Sequence, residues 1–373
     1  MPELSNGSTI PVDDLVAALT ERQPLTILDV RSQDERAEWA IPGSHHVDAY
    51  EALKAGDPQA LAGVSLPAGI PVVTVCGAGN TSLVAAAQLR ARGFDAVSLA
   101  GGMNAWSLAW NTADVPLTEA AASVIQVRRL GKGCLSYLLG CGDEAIVIDA
   151  SLDPGIYLDL ARQRRWSITH VLDTHIHADH LSRTRSLADQ TGATLHLPAQ
   201  DRVSFSFSSI HEGDEISFGG AWLTALATSG HTMESMTYQL DGRALFTGDT
   251  LFLSSVGRPD LEASSEQTEL RSRLLYRSLQ RLSALPGDLL ILPGHTSDPI
   301  PFDAQPIARS LAVVRDQSEA HRLSEDDFTS EITSRLPLPP ANHAAIVALN
   351  EAGNLPSGDP AELEAGANRC AVR

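Results

Sequence analysis

Hydrophobic positions follow two different patterns along the chain, and the change falls near residue 120. Before it, LTILDV at 25–30, PVVTVC at 71–76 and AVSLAG at 96–101 are short apolar runs rich in β-branched residues, which predicts buried strands. SLVAAAQLRARG at 82–93 and MNAWSLAW at 103–110 space their apolar residues as helices do. Strands separated by helices need right-handed crossovers, so the expected fold is an α/β unit with a parallel sheet and flanking helices. NTADVPLTEAAAS at 111–123 is polar, small and contains proline, which predicts a linker.

From about 124 the strands crowd together. SVIQVRRL, GCLSYLLG and DEAIVIDA, ending at 150, are joined by glycine-containing turns as in a meander. Further strands are expected at 167–174, 194–199, 221–228, 235–242, 243–249 and 288–294, with a helix-like run to about Gln190. Residues 266–285 place Leu270, Leu274, Leu275, Leu279 and Leu282 on one helical face. This pattern predicts a sheet sandwich with helices outside. The chain after about 305 reads as helical, then becomes rich in proline and glycine. The expected division is 1–118, 119–315 and a C-terminal helical or irregular extension at 316–373.

Composition narrows the function. Lys and Arg number 27 against 46 Asp and Glu, a formal net charge of −19. Such a surface repels phosphate backbones and anionic lipid, so neither nucleic acid nor a membrane is an expected partner. No apolar run approaches the ~20 residues that span a bilayer, and MPELSNGSTIPVDDL carries no signal-like region. Four cysteines, Cys76, Cys134, Cys141 and Cys370, are too few for a disulfide framework and fit a reduced, cytoplasmic protein. Cys134 and Cys141 read as small buried apolar residues, and Cys370 as a disordered or exposed thiol.

Three histidines lie within six residues, His175-Ile176-His177-Ala178-Asp179-His180, between a buried strand and a helix. A loop at a strand's carboxyl end can turn several side chains toward one point, and imidazole with carboxylate is a ligand set for zinc or non-haem iron. The same capability recurs at Gly230-His231-Thr232, Gly248-Asp249-Thr250 and Gly294-His295-Thr296, each with a glycine that lets the backbone turn sharply.

With these motifs, residues 124–300 resemble the metallo-β-lactamase fold, in its glyoxalase II-like branch. The resemblance implies an αββα domain with a C-terminal helical tail. It also implies a choice of metal. In a two-zinc arrangement His175, His177 and His231 form one site, Asp179, His180 and His295 the other, and Asp249 bridges. Persulfide dioxygenases, a branch with the same residues, imply one Fe(2+) per chain on His175, His231 and Asp249, with His177, Asp179, His180 and His295 as supporting or second-metal candidates. Two features favour iron. Ser255-Val256-Gly257-Arg258-Pro259-Asp260 is similar to a segment of persulfide dioxygenases, with Arg258 expected either to bind an anionic group of the substrate or to pair with Asp260. The tail after 300 also has no lysine, so only arginine could hold glutathione carboxylates as the basic helical segment of glyoxalase II-type hydrolases does.

Cys76 ends a strand, and Gly77-Ala78-Gly79-Asn80-Thr81 leads to a helix from Ser82. Backbone N–H groups of such a loop can form an anion-binding concavity that stabilises a thiolate. Residues 8–118 resemble a rhodanese domain through Leu28-Asp29-Val30-Arg31, Glu38-Trp39, Ile41-Pro42-Gly43-Ser44, the 76–82 loop and Leu99–Trp106. The resemblance implies that Cys76 carries sulfane sulfur, with the loop Gly77–Ser82 around it, and that Asp29 and Arg31 form a structural ion pair. Family members usually carry arginine at the positions of Thr81 and often Gly77; their absence favours a bulkier persulfide over thiosulfate.

Both units handle sulfane sulfur. The resulting expectation is an Fe(2+) enzyme that oxidises a glutathione-like thiol persulfide with O2 to sulfite, coupled to sulfur exchange with thiosulfate or sulfite through Cys76. The alternatives are a two-Zn(2+) thioester hydrolase with an accessory rhodanese domain, and a non-enzymatic persulfide sensor or carrier. A homodimer is compatible with any of these.

Overall fold

The computed structural model describes residues 7–296, 298–318, 322–340 and 342–372. MPELSN, at the start of the stretch inspected for a signal, and 319–321 of the expected helical tail lie outside the described residues.

The first apolar runs become a five-stranded sheet in the order Thr9–Ile10, Ala96–Leu99, Val72–Val75, Thr26–Asp29, His45–His46. Every neighbouring pair is parallel, as expected. Both faces are covered, which is why the central strands read as unbroken apolar runs. Leu28, Val72, Ala85, Ala86 and Leu89 pack one face against the helix Asn80–Ala91.

Two expectations need correcting here. The helix begun at Gly102 stops at Trp106. The expected linker instead opens with a strand, Trp110–Val115, that pairs antiparallel with Ser123–Arg129 as the edge of the next sheet. An edge strand is half-wetted, so its sequence carries polar residues that imitate a linker.

That next sheet has seven strands in the order Ser208–Ile210, Thr194–Pro198, Ser167–Leu172, Glu144–Ile148, Leu135–Cys141, Ser123–Arg129, Trp110–Val115. A six-stranded sheet faces it: Glu215–Phe218, Ala221–Ala227, Met236–Leu240, Ala244–Gly248, Leu290–Pro293, Arg309–Ser310. Their inner faces share one core, where the Tyr137 and Phe246 rings meet edge-on at 4.9 Å. Tyr157, Ala161 and Leu187, from the helices Pro154–Arg164 and Thr184–Thr191, cover one outer face. Leu275, Leu279 and Leu282 of Ser265–Ser283 cover the other with Leu311 and Phe328. The result is an αββα sandwich. Leu270 leaves the predicted stripe: it is 51% exposed.

The two units are continuous: Trp106 packs edge-on against Phe302 at 6.2 Å, and Leu130 N–H donates to the Ala109 carbonyl at 2.7 Å. The extension forms the helices Glu325–Ser334, His343–Ala352 and Pro360–Glu364, then a short strand, Ala371–Val372, paired antiparallel with Val256–Gly257. Among the described residues, no helix is long and apolar enough to cross a membrane.

Candidate metal centre and cysteine loop

The strand Ser167–Leu172 delivers the histidine loop to the carboxyl edge of the sandwich. Asp149 holds its start, accepting from Thr174 N–H at 2.7 Å and Thr174 Oγ1 at 3.0 Å. Asp173 accepts from Thr184 Oγ1 at 2.6 Å and Ser182 Oγ at 2.7 Å at its end. Asn350, far along the chain, donates to the carbonyls of His177 at 2.8 Å and His180 at 2.9 Å and accepts from Ser182 N–H at 2.9 Å. Replacing Asn350 with Leu leaves two carbonyls without their donor. The expected outcome is metal affinity lowered roughly ten-fold, measured by competition with a chelator, in a protein that remains folded.

Gly248 lets Asp249 in. Its φ is +48°, and a Cβ there would lie 2.5 Å from Thr174 Oγ1, so the strand ending in Gly248 and the histidine loop close on each other only without a side chain.

The structure brings His175, His231 and Asp249 together, each buried, with one ligand atom apiece within 4.8 Å of the others. Asp249 Oδ2 is 3.9 Å from His175 Nε2 and 3.8 Å from His231 Nε2. Hydrogen bonds on the far nitrogens aim both rings: His175 Nδ1 meets Thr174 Oγ1 at 2.9 Å, and His231 Nδ1 meets the Arg258 carbonyl at 2.7 Å. Burial, then the neighbouring histidines, holds His175 neutral well below the usual imidazole range, and burial lowers His231 as well. Burial opposes ionisation of Asp249, but His295 outweighs it and keeps the carboxylate charged.

These residues fit a metal on their own chemistry. His175 Nε2 and Asp249 Oδ2 are buried without a hydrogen-bond partner, an arrangement that costs stability unless something else satisfies them. Two neutral imidazoles and one carboxylate on one side leave room for further ligands, as a non-haem iron site requires.

Asp179, His180 and His295 form a second group next to it. His180 Nδ1 is 3.1 Å from Asp179 Oδ1, while His295 Nε2 is 2.8 Å from Asp179 Oδ2 and its Nδ1 is 2.5 Å from Asp249 Oδ1. Cys134 completes this group, with Sγ 3.6 Å from Asp179 Oδ2. It is buried as expected, but against charge rather than apolar side chains. Burial and Asp179 push its thiol up; His180 and His295 outweigh them and hold it at about 6. The His177 ring lies 4.2 Å from the ring of His175 in one group and 4.1 Å from that of His180 in the other. Its Nε2 is 3.2 Å from Asp149 Oδ1, and the structure groups it with Asp149 and Asp173.

Of the two expectations for Arg258, the structure shows the pair with Asp260. The arginine is fully buried, and its guanidinium donates to Asp260 twice at 2.8 Å and to the carbonyls of Pro337, Leu338 and Arg369. No donor remains for a substrate anion; the residue ties the extension to the site and aims His231 through its carbonyl. Cys370 is likewise buried rather than exposed, its carbonyl accepting from Arg258 N–H at 2.9 Å. A cleft of roughly 400 Å³ lined by Phe252, Ser254, His295, Thr296 and Arg309 reaches the second group from outside.

In the N-terminal unit, Cys76 Sγ lies 3.3 Å from Ser82 N and 3.2 Å from Ser82 Oγ, in the first turn of the helix Asn80–Ala91. Ser82 Oγ is 2.7 Å from Ser98 Oγ. Gly102 permits this packing, since a Cβ there would lie 2.3 Å from the Cys76 carbonyl oxygen. Gly77, Ala78 and Gly79 form the loop, and the helix starts at Asn80 and Thr81, two residues earlier than expected; Ala78 and Asn80 are exposed. Asp29 and Arg31 pair at 2.7 Å, both buried.

The geometry defines a metal-ligating αββα domain joined to a parallel-sheet domain with a cysteine at a helix N-terminus. Residues 12–109 match the family described as Rhodanese-like domain, and residues 130–208 the Metallo-beta-lactamase superfamily. Two segments of the chain thus match, in order, a rhodanese-like domain and the metallo-beta-lactamase superfamily, and the likenesses that follow fit its glyoxalase II-like branch. Among curated proteins, a hydroxyacylglutathione hydrolase of Brucella anthropi is 33% identical over 159 residues, 41% of this chain and 58% of the relative. One of Rhodospirillum rubrum is 34% identical over 170 residues, 43% and 60%. The chain thus spans less than two thirds of these relatives' length. Among solved structures, a metallo-beta-lactamase from Staphylococcus aureus subsp. aureus COL superposes with a TM-score of 0.58 at 28% identity, covering 64% of this chain and 75% of the other. ETHE1 from Myxococcus xanthus gives 0.54 at 29%, covering 62% and 98%.

Proposed function

We propose that the chain is a persulfide dioxygenase with its own sulfur-transfer domain. One observation carries this reading: a buried His175, His231 and Asp249 triad whose His175 Nε2 and Asp249 Oδ2 have no hydrogen-bond partner, in the same chain as a cysteine set at a helix N-terminus. A ferrous ion held by this triad would supply O2 activation and a place for the substrate sulfur.

The chain's own residues do the rest. Cys76 takes sulfane sulfur from a donor and holds it as a persulfide; a thiolate such as glutathione attacks the outer sulfur, the S–S bond breaks, and Cys76 leaves as thiolate, favoured by the Ser82 N–H. The small-molecule persulfide enters by the cleft beside His295, where Arg309 offers a cation for a carboxylate. Burial of the ligands keeps bulk water from the reactive sulfur. The overall reaction consumes persulfide, O2 and water and yields thiol, sulfite and two protons. Both the likeness to ETHE1 and the glutathione in the names of the curated relatives are consistent with it.

A two-zinc thioester hydrolase is the second reading, favoured by those relatives' names and by the buried, unpartnered His177 Nδ1 and His180 Nε2. Anaerobic purification, metal quantification and O2 uptake with glutathione persulfide separate the two. Iron and O2 uptake support the first; two zincs and thioester cleavage without O2 overturn it. Cys76→Ser is expected to abolish sulfur transfer from a donor while leaving O2 uptake with preformed glutathione persulfide within about two-fold of wild type, because the sulfur is already on its carrier.

A further inference from the structure

Lys54 and Lys132 are the chain's only lysines, and the structure buries the second. Lys132 is 7% exposed, in the turn between the strands Ser123–Arg129 and Leu135–Cys141. The buried arginines Arg31, Arg128, Arg129, Arg183 and Arg258 each pair with a carboxylate. Among the described residues, the Lys132 ammonium has neither an ion pair nor a hydrogen bond. A buried cation without a counter-charge costs stability unless a ligand supplies one.

The turn is fastened to the metal centre on both sides of His295. Thr296 N–H donates to the Gly133 carbonyl at 2.9 Å, and Leu135 N–H to the Gly294 carbonyl at 2.8 Å. Thr296 also lines the cleft beside His295. The C-terminal segment closes over the same turn: a Cβ on Gly133 would lie 3.8 Å from Asn368 Cβ. Asn368 Oδ1 accepts from Cys370 N–H at 2.8 Å, and its Nδ2 is buried without a partner. Charge puts the ammonium at this seam as well. Burial, Asp179 and Asp249 push the Cys370 thiol up, and His295 and Lys132 pull the other way.

We propose that Lys132 and Asn368 form a subsite for a small oxyanion at the rim of the metal centre. Both open atoms, Lys132 Nζ and Asn368 Nδ2, are donors, so only an acceptor satisfies them, and the uncompensated charge selects an anion. A lysine ammonium is a compact point charge, suited to one oxygen of a carboxylate or of sulfite. The chemistry at the centre offers both sources: a carboxylate of the thiol persulfide, and the sulfite that leaves. The inference rests on the dioxygenase reading for the source of the anion, but not for the existence of the subsite. Its cation comes from a turn at the start of the domain, not from the lysine-free extension.

The test is calorimetric titration of the full-length, metal-loaded protein with sulfite and with S-methylglutathione, which keeps the carboxylates but has no transferable sulfur. Lys132→Met is expected to raise the Kd of at least one probe by about ten-fold or more, and Asn368→Ala by about five-fold. Metal content should match wild type. Ligand-free Lys132→Met should melt no lower than wild type, because an uncompensated buried charge is gone. Weaker sulfite binding alone supports the inorganic oxyanion as occupant; weaker S-methylglutathione binding supports the substrate carboxylate. Unchanged Kd values for both probes, with or without a lower melting temperature, overturn the proposal, and Asn368→Ala decides it if Lys132→Met does not fold. If O2 uptake with glutathione persulfide persists and neither Kd moves, only this inference fails. If a Kd moves but wild type takes up no O2, only the dioxygenase reading fails.

Discussion

Asp249→Asn is expected to strip the triad of its metal and to abolish O2 uptake with glutathione persulfide. The amide matches the carboxylate in shape and can still accept from His295 Nδ1, now 2.5 Å from Oδ1, but the anionic ligand facing His175 and His231 is gone. Loss of a ligand exceeds the 10–100-fold typical of a supporting hydrogen bond, so affinity should fall by more than about 100-fold. Metal analysis after dialysis, with a melting curve to show that the fold survives, checks this. Retained iron with normal O2 uptake would remove Asp249 from the ligand set.

The second large effect lies in the extension. Glu364 is fully buried and accepts from Arg183 at 2.5 and 2.9 Å, from Arg129 at 3.2 Å and from Leu181 N–H at 2.6 Å. Burial opposes its ionisation, but Arg129 and Arg183 outweigh burial and hold it at about 2 instead of 4.5. A depression of that size is worth about 3 kcal/mol. Because the folded value lies below the unfolded one, this stability is present above pH 4.5 and drains away as the pH falls toward 2. Glu364→Gln leaves two buried guanidinium groups without their counter-charge, at an expected cost of about 3–5 kcal/mol and a Tm lowered by about 10 °C at neutral pH. The loss should shrink as wild type itself is acidified; thermal melts from pH 7 to pH 3 show whether it does.

Much of this was legible in the sequence for a physical reason: apolar periodicity reports local structure, and the histidine motif packs three imidazoles and a carboxylate into six residues. His231, Asp249 and His295 could be read because each stands after a glycine at a strand end, a local signature. What could not be read depends on contacts between distant parts of the chain. Cys134 joins the ligand cluster through a bridge to His295, and nothing beside it in sequence marks that. Asn350 and Glu364 hold the histidine loop from the far end, where composition suggested an irregular tail. Arg258 showed its charge but not its burial, so a substrate-anion role and a pair with Asp260 stayed open side by side. Trp110–Val115 was disguised by its position at a sheet edge.

Asn350 also sets an order of events during synthesis. The ribosome has made every histidine and aspartate of the two ligand groups by residue 295, more than fifty positions before the amide that ties down the His177 and His180 carbonyls. An ion offered to the nascent chain meets a slack loop; one offered after release meets a fastened loop. Cells starved of metal during translation and resupplied afterwards should therefore fill the centre more slowly than cells supplied throughout.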